Sequence, residues 1–192
     1  MGLRVNTNVA SLTAQRNLSS VTGRLQGNFS KLSSGLRVAT AADDAAGLGI
    51  SERMRSQIRS LGAAGRNAQD GISLVQTAEG ALGEASNILS RMRELAVQAS
   101  NGTLSDDDRD TINTEVSALV SELDRIADST SFNGVQLLDG SNTTASIQVG
   151  INDGETIDVA LQETTTTELG VDSVDVSDQS GASDALSAID DA

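Results

Sequence analysis

Every seventh residue from position 54 to position 96 is apolar: Met54, Leu61, Ala68, Val75, Leu82, Leu89 and Ala96. Three residues after each stands Gln57, Ala64, Gly71, Ala78, Ala85, Met92 or Ala99, mostly small. Seven such repeats describe a coiled-coil seam along one helix of about residues 50–99, with small residues that let a second helix approach closely. Helices inside compact proteins seldom exceed ~20 residues. A helix this long therefore needs partners along its length, and Met54, Leu61, Val75, Leu82, Leu89 and Met92 are the expected assembly seam.

The rest of the composition agrees with contacts along a line. The 192 residues include 2 Phe, no Trp and no Tyr, so the large anchors of a thick globular core are nearly absent. With 0 Pro, nothing forces a kink. The absence of Cys and His removes disulfides, thiolate nucleophiles, Cys/His zinc sites and imidazole bases. Residues 1–70 carry a balance of +5 and residues 71–192 one of −19, which together make the net −14. A basic N-terminal part can indicate nucleic acid. With 2 Phe as the only aromatic residues to stack on bases and no reading helix, complementary contacts between protein surfaces fit better, and no nucleic-acid partner is expected.

Flanking elements follow from the same periodicities. Leu18, Val21, Leu25, Phe29 and Leu32 recur at helical steps within residues 6–35. Gly23 and Gly27 interrupt that face, each costing ~1 kcal/mol relative to Ala, so the helix is expected to be marginal alone. Residues 36–49 read as a loop in which Asp43 and Asp44 cap the next helix. Asn101-Gly102 ends the long helix, and Ser105, followed by three Asp, starts another carrying Ile112, Val116, Leu119, Leu123 and Ile126.

Fifty helical residues span roughly 75 Å and the returning two dozen roughly 36 Å, leaving half the seam bare. Beyond Asn133-Gly134, residues 135–138, 147–149 and 157–159 read as short strands with turns at Asp139-Gly140 and at Asn152-Asp153-Gly154. Residues 162–181, rich in Thr, Ser and Asp, are expected to be exposed. Ser183 is the expected cap of a last helix bearing Leu186 and Ile189, expected to continue in a longer polypeptide and to cover the bare seam.

The fold class expected is mainly α: long helices in a coiled-coil-like bundle, elongated, with a small β-hairpin region. Sites for chemistry are weak. Asp106, Asp108 and Asp110 alternate as in a calcium loop, but Thr111 stands where Gly is needed and Ser117 where a bidentate Glu belongs. Gly47-Leu48-Gly49 lacks both the third Gly and the preceding strand of a dinucleotide loop. No cofactor, metal or enzymatic activity is expected. No apolar run approaches the ~20 residues of a membrane span, so no membrane insertion is expected. The N-terminus has no basic segment followed by an apolar run and does not read as a cleavable signal.

Several stretches together resemble bacterial flagellin: NTNVASLTAQRNL (Asn6 to Leu18), KLSSGLRVATAADDAAGLGISERMRSQIRSL (Lys31 to Leu61), NAQDGISLVQTAEGAL (Asn67 to Leu82), RMRELAVQASNGT (Arg91 to Thr103) and FNG (Phe132 to Gly134). Hook–filament junction proteins share the layout with weaker motif matches. A secreted adhesin-like binding module displaying residues 135–181 is the other alternative.

The resemblance implies a filament subunit that polymerises with other flagellin subunits and with its own C-terminal helices. It also implies passage through the flagellar type III export apparatus to the extracellular filament, without a cleaved leader. It divides the chain into an inner-tube helix and loop (1–42), a core helical domain (43–138), the start of a variable outer region (139–181) and the start of a C-terminal core helix (182–192). It further implies recognition by a vertebrate Toll-like receptor at the positions matching Arg91, Leu95 and Glu115. On pattern alone, Leu95 also fits a core position and Glu115 a solvated acid.

Overall fold

A computed structural model of the chain describes residues 8–192. The first two residues of the expected helix 6–35, and the start of the stretch matched from Asn6, lie outside them. By contact the chain forms two compact units, Met1–Arg59 and Ser60–Ala192, which part within a helix.

The first unit holds α1, Val9–Ser34, and the beginning of α2, Ala45–Ala99. Asn8 caps α1, its Oδ1 accepting from the Ser11 N–H at 3.2 Å. Gly35 closes the helix in the left-handed conformation, φ 67°. No residue of α1 is buried: Leu18, Val21, Leu25, Phe29 and Leu32 all stand exposed. A helix without a buried face draws no stability from packing, which fits the marginal helix expected.

α2 begins at Ala45, within the stretch read as a loop. Asp44 explains the early start, because its carboxylate accepts from the Gly47 N–H at 2.8 Å and its carbonyl from Leu48 N–H at 3.0 Å. A Cβ at position 47 would crowd that carboxylate, which would have to shift to make room. Asp43 does not cap. It pairs with Lys31 Nζ at 2.9 Å and accepts from Thr40, tying the loop to the end of α1.

In the second unit α2 runs on to Ala99, and α3, Asp106–Ser129, turns back along it. Ser105 caps α3 reciprocally with Asp108, as the sequence indicates. The end of α2 is not made by a left-handed glycine, since Gly102 is not among the glycines with positive φ. Arg109 supplies it instead. This buried side chain, 6% exposed, donates from Nε to the Ala99 carbonyl at 3.0 Å and from Nη2 to the Asn101 carbonyl at 3.1 Å.

β1, Ser131–Phe132, and β2, Val135–Gln136, form a tight antiparallel pair around Asn133 and Gly134, both at positive φ. β3, Thr144–Gln148, and β4, Thr156–Ala160, form the longer hairpin, with Ile147 opposite Ile157. β4 contains the expected 157–159, but β2 stops at Gln136 instead of reaching 138, β3 begins three residues early at Thr144 and leaves Val149 outside, and Ser131–Phe132 is an added strand.

The segment after β4 departs from expectation. Thr164, Thr166, Val171 and Val176 are buried, although the composition of 162–181 pointed to solvent. Side chains of α3 hold its backbone: Asp124 accepts from the Thr166 N–H at 2.9 Å and hydroxyl at 3.0 Å, and Asn113 Oδ1 accepts from the Val176 N–H at 3.0 Å. With its polar groups satisfied, the segment can be buried at low cost. The last helix, α4, spans Gln179–Asp191 and is capped by Asp178 rather than Ser183.

Two apolar clusters result. One joins Met92, Leu95 and Ala96 of α2 to Val116 and Leu123 of α3, to Val171 and Val176, and to Ala182, Ala185 and Ile189 of α4. The other joins Leu74 of α2 and Ala127 of α3 to Leu137, Leu138 and Leu161. The segments expected as an outer region and a terminal helix therefore pack in the same unit as residues 60–138.

Candidate assembly surface

The helical repeat of α2 places its two residue sets on adjacent faces. The small set faces inward: Ala64, Gly71, Ala85, Met92 and Ala99 are buried. The large set divides along the helix. Near the C-terminal end, α3 and α4 cover Ala96 completely, and Leu89 packs partly buried against the same cluster. Further back the large residues face outward, Leu82 at 39%, Val75 at 41% and Leu61 at 54% exposed. In the first unit Met54 is likewise 54% exposed.

The expected assembly seam is thus corrected at one end. Met92 is fully buried and Leu89 half-buried within the chain's own core, because α3 and α4 reach that far. Neither presents a face to another molecule. Met54 in the first unit, and Leu61, Val75 and Leu82 in the second, stay exposed.

Two exposed members of the stripe are Ile58 and Ile72. Their signal in the sequence is a third heptad position, four residues after Met54 and Ala68. Gly65 and Glu79 dilute it at the other turns, which hides it from a search for seven-residue apolar repeats.

The second hairpin completes the surface in the Ser60–Ala192 unit. Ile147, Val149, Ile157 and Val159 face Ala68, Ile72 and Val75 across a groove of about 340 Å³, lined almost wholly by apolar atoms. The hairpin sits this close because Gly71 has no side chain; a Cβ there would overlap Ile147. Asn67 Nδ2 donates to the Gln148 carbonyl at 3.0 Å and fixes its position along α2. Such a groove offers burial to an apolar helix or strand and holds no arrangement of groups for bond chemistry.

α4 defines one end of this surface. Asp190 grips Arg93, with Oδ1 2.5 Å from Nε and Oδ2 3.2 Å from Nη2, and Gln179 lies beside Gly102. The helix therefore runs antiparallel to α2, with its C-terminal end directed along the helix toward Leu82. The ion pair lowers the Asp190 pKa and raises that of Arg93, hydrogen bonding being the larger cause for both.

Arg91 and Glu115 form a second polar feature between α2 and α3. Glu115 Oε1 accepts from Arg91 Nη2 at 2.8 Å and Nε at 3.2 Å, while Glu94 accepts from Nη1 at 3.0 Å. Glu115 first, then Glu94, raises the Arg91 pKa. Leu95 does not join them at the surface. It is 3% exposed, packed in the larger cluster, and so occupies the core position that the pattern also allowed.

The carboxylates once comparable to a calcium loop are used otherwise: Asp106 pairs with Arg109 and Asp108 with Ser105. Among the described residues no helix is long and apolar enough to cross a membrane.

Comparisons with known proteins agree with this architecture. Residues 5–143 match the family model described as the bacterial flagellin N-terminal helical region. The B-type flagellin of Pseudomonas aeruginosa is 52% identical over 170 residues, 88% of this chain and 35% of that protein. A flagellin of Halalkalibacterium halodurans is 48% identical over 188 residues, 97% of this chain and 69% of that one. The crystal structure of Bacillus cereus flagellin superposes with TM-score 0.59 at 37% identity, covering 66% of this chain and 73% of that one. The chain spans about a third of the length of the first relative and about two thirds of the second. A family match over most of the sequence, close relatives and a shared helical fold place this chain in the bacterial flagellin family.

Proposed function

We propose that this chain is part of a flagellar filament subunit whose α2 stripe is an assembly surface. The observation that carries this reading is the uncovered row of Leu61, Ile72, Val75 and Leu82 beside an apolar groove. Large apolar residues repeating on one helix face are costly to leave in water, at roughly 25 cal/mol per Å². In this reading a helix continuing from α4 covers the row, and other copies of the subunit pack on what is left, including the exposed face of α1.

The filament is extracellular and its subunits pass unfolded through the flagellar type III apparatus. A chain with 0 Cys and a marginal first helix suits such a passage. The Arg91–Glu115 pair is the proposed contact for a vertebrate Toll-like receptor, with Leu95 buried in the core next to α3.

Extending the chain with the C-terminal segment of the Halalkalibacterium halodurans relative is the test. Filaments visible by negative-stain electron microscopy are expected. Val75→Asp with Leu82→Asp should abolish them while the circular dichroism of the unextended chain stays unchanged. Persistent monomers without the substitutions, or filaments with them, would contradict the reading.

A further inference from the structure

The corner between α2 and α3 places an Asn-Gly pair, Asn101-Gly102, in a setting built for a reaction of its own. Both residues are exposed and lie outside the helices. Asparagine followed by glycine can lose ammonia when the glycine's backbone nitrogen attacks the asparagine carboxamide. The rate depends on how readily that nitrogen gives up its proton and how strongly the carboxamide carbon is polarised.

The structure acts on both groups. The Asn101 carbonyl and the Gly102 N–H belong to one peptide unit, so donors on that oxygen stabilise the anion formed when the nitrogen is deprotonated. Arg109 Nη2 donates to it at 3.1 Å and Leu104 N–H at 3.2 Å, one donor being charged. Among the described residues the Gly102 N–H itself has no acceptor. On the other side, the Thr103 N–H donates to Asn101 Oδ1 at 3.3 Å, polarising the carboxamide carbon. Among the described residues no hydrogen bond holds Asn101 Nδ2, the leaving nitrogen.

We propose that Asn101-Gly102 is a self-modifying site, converted without an enzyme to aspartate and isoaspartate. The Gly102 nitrogen bonds to Asn101 Cγ, the Cγ–Nδ2 bond breaks, and the proton lost from the amide leaves on the departing ammonia. Water then opens the resulting succinimide. Attack at the former backbone carbonyl, the one polarised by Arg109, leaves isoaspartate, so that product dominates. The modification adds one negative charge beside Arg109 and lengthens the backbone where α2 hands over to α3.

Asn133-Gly134 is an internal control. It is also exposed, yet no donor reaches the Asn133 carbonyl among the described residues. The chain is incubated at mildly alkaline pH, native and in denaturant, and both sites are followed by peptide mapping with mass spectrometry. In the native chain the Asn101 rate should exceed that of Asn133 several-fold more than it does in denaturant, with a larger isoaspartate share at 101. Arg109→Met should return that ratio to its denatured value if circular dichroism shows the fold intact. If Arg109→Met unfolds, the native-to-denatured comparison of the unsubstituted chain decides alone. An equal or smaller native ratio, or an unchanged ratio in folded Arg109→Met, would overturn the proposal.

Discussion

Arg109 and Ala99 meet across the α2–α3 corner: the guanidinium Nε donates to the Ala99 carbonyl at 3.0 Å, so the second helix caps the first with its own first turn. Helix C-terminal carbonyls without partners are a liability when buried, and a glycine in the left-handed conformation is the usual remedy. Here a buried cation takes that role and also satisfies the Asn101 carbonyl.

Arg109→Met retains most of the side-chain packing but removes both donors. The expected loss is about 1.5–3 kcal/mol, the range for hydrogen bonds to charged groups. Urea unfolding followed by circular dichroism measures it.

Met92 and Leu82 belong to different faces of one helix, and truncation separates them. Met92→Ala opens a cavity in the larger cluster and should cost about 2–5 kcal/mol. Leu82→Ala removes a side chain that is 39% exposed and leaves no closed cavity, so it should cost about 1 kcal/mol or less in this chain. Equal losses in urea titrations of the two variants would mean that the stripe is covered by the chain itself.

Asp43 titrates low. Hydrogen bonds from Lys31 first and Thr40 second bring its pKa from 3.8 to about 2. A depressed carboxylate pKa stabilises the fold above the ordinary value, and the contribution fades as pH falls from about 4 towards 2. Lys31→Met should move the carboxyl resonance midpoint back up towards 3.8 in an NMR titration. The helical signal of the Lys31→Met chain should then change less between those two pH values.

Glycines in α2 should respond to alanine in two ways. Gly80 and Gly83 face open space, so alanine there should stabilise the helix by about 0.5–1 kcal/mol each. Gly71→Ala meets Ile147 and should gain less or lose stability. In an Ile147→Ala background the same substitution should recover the helix gain. A double-mutant cycle at 71 and 147 measures that coupling.

What the sequence makes legible is local. The heptads of α2, the Ser105 cap and the second hairpin turn all announce themselves within a few residues, because they arise from helix period, capping and turn chemistry. The burial of Thr166 and Val176 does not. Their backbone partners are Asp124 and Asn113, 42 and 63 residues away, and no local pattern encodes such pairings. Arg109 was hidden for a similar reason, since a charged residue early in a helix reads as solvated until the neighbouring helix end is in place. The exposed stripe is half legible: periodicity identifies the apolar repeats, but only packing shows that Met92 is buried within the chain while Ile58 and Ile72 stay exposed.

With 0 Cys in the chain, one introduced cysteine reports on one position, and thiol labelling at Val75 tests the exposed stripe most directly. Val75→Cys in the dilute chain should react far faster than Met92→Cys, as a half-exposed thiol against a buried one. It should become protected once the C-terminal segment is added, while Met92→Cys stays protected throughout. A Val75→Cys thiol already shielded in the dilute, monomeric chain would contradict the account.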